Sequence, residues 1–276
     1  MSNLVKKYPA ISLYVLASIF GVAPIAAVAA GLPPGFSQLG ALSASLAGII
    51  LAAVEGRKGG VRELLGRVLI WRVGIQWWAF ALFFTAIAGV GALYLSDLFG
   101  GPVVAWSGLG PLYSVLPMML FLIVFAGLGE EFGWRGFAVP RLQARYSALV
   151  SSLIIGGLHG LWHLPMFLVE GQAQYNWAQQ VGLIPAFLGY SVFVIAWAIQ
   201  LTWVFNNTKG SVLLAAVVHG AGNAWIGGYI DLPSRAGMGG NVALAFLMAV
   251  VSIIIVLLAG PKNLSRKNER IMHQEA

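Results

Sequence analysis

The stretch MMLFLIVFAGLGEEFGWRGF, residues 118–137, decides how this chain is read. Its first nine residues are wholly apolar, and its second half places Glu130, Glu131 and Arg135 where hydrocarbon should continue. Around it, 59% of the 276 residues are hydrophobic and only 9% charged, with a mean hydropathy of +0.84. A soluble domain of this length needs charge over most of its surface, whereas a polytopic membrane chain needs it mainly in loops and at the membrane faces. The composition therefore reads as an all-α, polytopic membrane protein. The net charge of +7 makes no case for nucleic acid in such a chain, because it belongs to membrane-flanking loops. The absence of Cys excludes disulfides, thiolate metal sites and a Cys nucleophile.

Working outward from residue 118, apolar runs bounded by charge or Gly/Pro occupy about residues 9–31, 37–55, 73–96, 112–139, 148–168, 183–205, 210–229 and 242–260. Each is long enough to cross about 30 Å of hydrocarbon as a helix, giving eight spans. Counted over alternate loops, fifteen of the 16 Lys and Arg fall on one side and only Arg235 on the other. By the positive-inside rule both termini are cytoplasmic, in a cell (plasma) membrane. The first run follows Lys6 and Lys7 and ends in AAVAAG, but it exceeds a signal peptide's usual apolar core and reads as a retained span. Residues 57–72, RKGGVRELLGRVLIWR, mix five cations with apolar side chains and predict an amphipathic helix on the cytoplasmic face. Residues 1–276 form a single membrane domain, with a mobile cytoplasmic tail at 262–276 that holds His273. Pro117, Pro165 and Pro185 predict helix kinks, and Gln200 and Asn206 interhelical hydrogen bonds.

Once loop charges are removed, the costly groups at membrane depth are Glu130, Glu131 and Arg135 in the fourth span, His159 and His163 in the fifth, and His219 and Asn223 in the seventh. An ionisable group there costs at least a few kcal/mol unless paired or hydrated, so the default reading is a functional site facing the bundle interior. Glu131 and Arg135, four residues apart, meet on one helix face, which leaves Glu130 about 100° away around the axis. The 159/163 and 219/223 pairs repeat the spacing of four, so three helices each offer a polar stripe. At about 1.5 Å per residue, Glu130, His219, His159 and His163 lie roughly 15–24 Å from the cytoplasmic interface.

These motifs, E-E-x-x-x-R at Glu130, Glu131 and Arg135, then LWHLP with His163, then H-x-x-x-N at His219 and Asn223, resemble the Abi/CPBP family of intramembrane proteases. That family takes in the type II, Rce1-like CAAX prenyl proteases and bacteriocin-processing enzymes. The resemblance covers about residues 55–230, a protease core, with the motifs in the family's order on successive apolar segments. One position departs from it: four residues before the second motif's histidine, where an aromatic is usual, stands His159.

The resemblance implies a peptide-bond hydrolase of a membrane-associated peptide or lipid-modified protein, CAAX-type or bacteriocin-type, with the bilayer itself as a partner. Hydrolysis without a Ser or Cys nucleophile needs water activated by a base, and Glu130 is the candidate. His163 is read as orienting that water, His219 and Asn223 as donating to the oxyanion, and Glu131, Arg135 and His159 as supporting. No cofactor is expected. A zinc site would instead use Glu130, His163 and His219, although H-E-x-x-H is absent because Gly160 follows His159. Two other classes share the buried Glu and His: a proton-coupled transporter, and a non-catalytic immunity or scaffold protein.

Overall fold

The computed structural model describes residues 2–56, 59–102, 109–267 and 269–272, and within them every regular element is helical. Eight helical segments stand where eight apolar runs are read. They are α1 (Pro9–Ala29), α2 (Ser43–Val54, entered through a 3-10 turn from Pro34), α3 (Ile75–Leu95), α4 (Leu112–Gln143), α5 (Ala148–Trp162), α6 (Leu183–Asn207), α7 (Val212–Asn223) and α8 (Leu232–Ala259). Six of the segments, α2 counted with its 3-10 entry, are long and apolar enough to cross a membrane. The other two are α5 and α7, the helices that carry the histidines. Each starts on a serine cap: Ser147 Oγ accepts from Val150 N at 3.2 Å and Ser211 Oγ from Leu214 N at 3.1 Å.

α6 lies between α5 and α8, while α7 packs against α3 and the middle of α4. Two apolar clusters result. One joins α1, α2, α5 and the second half of α4 around Leu13, Leu51, Trp134, Phe137 and Ile155. The other joins α3, α6, α7 and α8 around Trp197, Leu214, Val218 and Met248. The intramembrane charges lie along the seam between them, on α4, α5 and α7. Close approach of α2 to α4 depends on glycine, since a Cβ added at Gly48 would stand 2.8 Å from the Gly133 Cα.

One end of the bundle gathers the loops that the charge count puts on one side. Arg145 donates to the Lys6 and Lys7 carbonyls at 2.7 and 2.6 Å, and Arg67 to the Gly210 carbonyl at 3.4 Å. Two residues of that count are not loop charges. Arg135 is fully buried beside Glu131, and Arg141 forms a buried bidentate pair with Glu55 while donating to the Phe137 carbonyl at 2.7 Å.

Three further expectations are corrected by packing. The amphipathic helix is shorter than 57–72: it runs over Gly60–Gly66, followed by a 3-10 turn at Arg67–Leu69, and Arg57 and Lys58 lie outside the described residues. The tail from residue 262 is tied down, because Asn206 donates to the Asn263 carbonyl at 2.8 Å and Gln143 to the Ile271 carbonyl at 2.8 Å; His273 is outside the described residues. Pro117 sits in the first turn of the α-helical part of α4, Val115–Leu122, and Pro165 and Pro185 sit in the first turns of the 3-10 turn Leu164–Phe167 and of α6. The helix break falls instead at Gly237, whose φ of 56° and ψ of −147° interrupt α8 in a conformation suited to glycine. Gln200 and Asn206 do bond between helices, Gln200 to the Met248 carbonyl at 2.9 Å and Asn206 to Gln143 Oε1 at 2.7 Å.

Candidate active site

Helix α4 is not uniform. Two π-helical stretches, Ile123–Leu128 and Phe132–Ala138, flank a single α-helical turn, Gly129–Glu131. Such widened turns recur at functional sites because they re-aim side chains without ending the helix. Here they present Glu130 to α5 and Glu131 to α7, in keeping with the angular separation read from the sequence.

Glu131 accepts from Arg135 Nη1 at 3.2 Å and from His219 Nδ1 at 2.7 Å. Glu130 faces His159, whose Nε2 stands 2.8 Å from Glu130 Oε2. The remaining oxygen, Oε1, is 4.0 Å from His219 Nε2. Glu131 and Arg135 are 0% exposed, Glu130 4%, His159 6% and His219 9%, so the cluster is withdrawn from the outer surface of the bundle. Such burial is tolerable because opposite charges and hydrogen bonds meet within it.

His163 occupies a different position. Helix α5 ends at Trp162, and His163 begins the 3-10 turn Leu164–Phe167. Its Nδ1 lies 2.9 Å from the His159 carbonyl, which can only accept, so Nδ1 carries the proton and Nε2 of the neutral ring is an acceptor. His163 packs edge-on to Trp162 and Tyr190, with ring centroids 4.8 and 5.1 Å away.

Glu130, Arg135, His159, His163, His219 and Asn223 all line one cavity of about 850 Å³. The structure thus brings the residues singled out in the sequence together, Glu131 lying just behind the wall. The sequence has His163 orienting the base's water and His159 in support; the direct contact to Glu130 is made by His159. The rest of the wall is mixed: Met118, Leu122, Phe193, Trp197, Ile226 and Phe246 are apolar, and Gln38, Gln172, Gln174 and Asn241 are polar. These cavity glutamines carry no sequence signal, since nothing in their local pattern distinguishes them from other loop and helix-end amides. Trp134, stacked on His159 at 4.9 Å, is likewise visible only in three dimensions.

The donors available to a metal are Glu130 Oε1 and the Nε2 atoms of His163 and His219. Among the described residues no group of three His, Asp or Glu side chains is disposed to hold an ion. Chemically the arrangement offers a carboxylate oxygen, an imidazole lone pair and an amide on a cavity wall, with an ion pair behind them.

Comparison with known proteins bears on the same segment of chain. Residues 112–225, which carry every one of these motifs, match the Rce1-like type II CAAX prenyl endopeptidase family. Over 130 residues the chain is 32% identical to CAAX prenyl protease 2 of Methanococcus maripaludis, an overlap that covers 46% of this chain and 47% of that relative. The chain therefore spans about half the length of the curated relative it matches. In its motifs, their order and this match, the segment from residue 112 to residue 225 is similar to the Rce1-like family of type II CAAX prenyl endopeptidases.

Proposed function

We propose that this chain is an intramembrane endopeptidase that hydrolyses a peptide bond in a membrane-associated, lipid-modified protein or peptide of the CAAX type. The observation that carries the reading is the convergence of Glu130, His163, His219 and Asn223 on one cavity, with Glu131 and Arg135 behind them. Water bound between Glu130 Oε1 and His163 Nε2 would give each of its protons to an acceptor. As its oxygen bonds to the scissile carbonyl carbon, one proton passes to Glu130 and the carbonyl electrons move onto oxygen. His219 and Asn223 donate to that oxyanion. Collapse breaks the C–N bond, the proton held by Glu130 goes to the departing nitrogen, and a carboxylic acid and an amine form, the acid's own proton then passing to the amine so that carboxylate and ammonium leave.

His219 can donate from Nε2 only if both ring nitrogens carry protons, because Nδ1 already donates to Glu131. Charge balance supports that form: Glu130 and Glu131 against Arg135 leave one negative charge, which an imidazolium at His219 cancels. A neutral buried cluster is cheaper in a low dielectric than a charged one. The reaction needs no cofactor in this scheme. The cavity volume and mixed wall suit a substrate that brings a peptide backbone and an apolar segment together. The bias of Lys and Arg toward one set of loops supports cytoplasmic termini, which reporter fusions at each end test directly.

The function is tested by reconstituting the protein in liposomes with prenylated and unprenylated CAAX-type peptides and reading products by mass spectrometry. Cleavage by the wild type and none by Glu130→Gln is the expected result. Transport of solute without any peptide product would replace the protease reading with the transporter.

A further inference from the structure

His159 stands where it touches both halves of the proposed machinery. Its ring bonds Glu130 Oε2 at 2.8 Å, and its backbone carbonyl takes the His163 Nδ1 proton at 2.9 Å. The ring is pinned from one side by Trp134, stacked at 4.9 Å with 28° between planes, and by Trp162 at 5.9 Å. It is 6% exposed. The other charged or titratable groups around Glu130 are Glu131 and Arg135 on its own helix, His163 beyond the end of α5, Tyr190 on α6 beside His163, and His219 on α7, 4.0 Å from Oε1.

This geometry makes the two oxygens of Glu130 inequivalent. Oε2 is held, and Oε1 remains directed toward the wall that His219 shares. We infer that His159 is a positioning residue that commits Glu130 Oε1 to the water, an inference that rests on the protease reading above. Without the tether, a small rotation of the carboxylate would close the 4.0 Å gap to His219 Nε2. The base and the oxyanion donor would then be spent on each other, since an unshielded opposite charge at that distance in a low dielectric is a strong attractor. The His159 ring must present a proton at Nε2 to hold an ionised carboxylate.

Two substitutions separate this role from packing. His159→Phe keeps a ring on Trp134 but removes the donor; His159→Gln gives up the ring but places an amide N–H near the Nε2 position. The expected result is a kcat reduced on the order of 10- to 100-fold in His159→Phe with KM nearly unchanged, the size of effect that misplacing a reacting group by about an ångström produces. His159→Gln should recover most of the lost kcat. Wild-type kcat in His159→Phe, or a loss confined to KM, overturns the inference, and so does a glutamine variant no better than the phenylalanine one. A readout independent of turnover is the ¹⁵N spectrum of the histidine side chains in the detergent-solubilised wild-type protein and in Glu130→Leu. An Nε2–H ring at His159 whose resonance moves in Glu130→Leu supports the tether even if no peptide is cleaved, in which case the protease reading alone fails. An Nε2 without a proton, or one indifferent to Glu130, removes it.

Discussion

Replacing Glu131 by Gln should unfold this protein more readily than any loss of a surface charge. The substitution preserves shape and removes one charge from a site that is 0% exposed, leaving the Arg135 guanidinium 3.2 Å from a neutral amide. At that separation and an effective dielectric of about 20, the lost attraction is about 5 kcal/mol before any hydrogen-bond term. Measured losses of one partner from a buried pair run at about 3–5 kcal/mol, because the remaining charge stays buried without compensation. His219 adds to the cost, since its Nδ1 proton would face an amide that can accept from only one oxygen. The assay is reversible unfolding of purified protein in mixed micelles, with Glu131→Ala, Arg135→Ala and the double variant completing a cycle. The double variant should be closer to wild type than either single variant added to the other. A Glu131→Gln protein within about 1 kcal/mol of wild type, together with additive single losses, would refute the claim that this buried pair is energetically coupled.

Asn223→Ala should lower kcat by roughly 10² to 10³ with KM nearly unchanged, because an oxyanion donor acts in the transition state; steady-state kinetics showing only a raised KM would end that role. Activity should survive strong chelators, and metal analysis of the purified protein should find no stoichiometric zinc; inactivation reversed by zinc would turn Glu130, His163 and His219 into ligands. Gly48→Ala should cost about 1–3 kcal/mol and lower activity as well, since its Cβ would meet the Gly133 Cα at 2.8 Å and push α2 from the helix bearing Glu130. Unchanged unfolding and turnover in that variant would show that the α2–α4 contact does not set the site's geometry.

The helices and the site were legible for one reason: a bilayer penalises charge and unsatisfied backbone so heavily that apolar runs read as helices and buried ionisable groups announce themselves. Glu130, Glu131, Arg135, His159, His163, His219 and Asn223 could all be named from that rule and from spacing by four. Spacing along one helix also separated Glu130 from Glu131, and the structure turns them to different neighbours as that angle requires.

What one-dimensional spacing leaves open is which stripe meets which. His159 and His163 are equivalent as helical positions, yet α5 ends between them, so one ring lies against Glu130 and the other sits on a 3-10 turn held by a backbone carbonyl. The two π-helical stretches of α4 had no signature in the residues; they lie where Gly127 and Gly133 admit the backbone of Ala216 and Ala44 and Gly136 admits the Leu64 side chain, contacts that local propensity does not encode. Arg141 illustrates the same limit, reading as an interface marker in sequence and standing as half of a buried pair with Glu55, 86 residues away. Hydrocarbon solvation determines which residues must be buried and in what secondary structure, and it acts on each segment alone. Partner choice among buried polar groups is a property of how helices approach one another, and only the tertiary structure decides it.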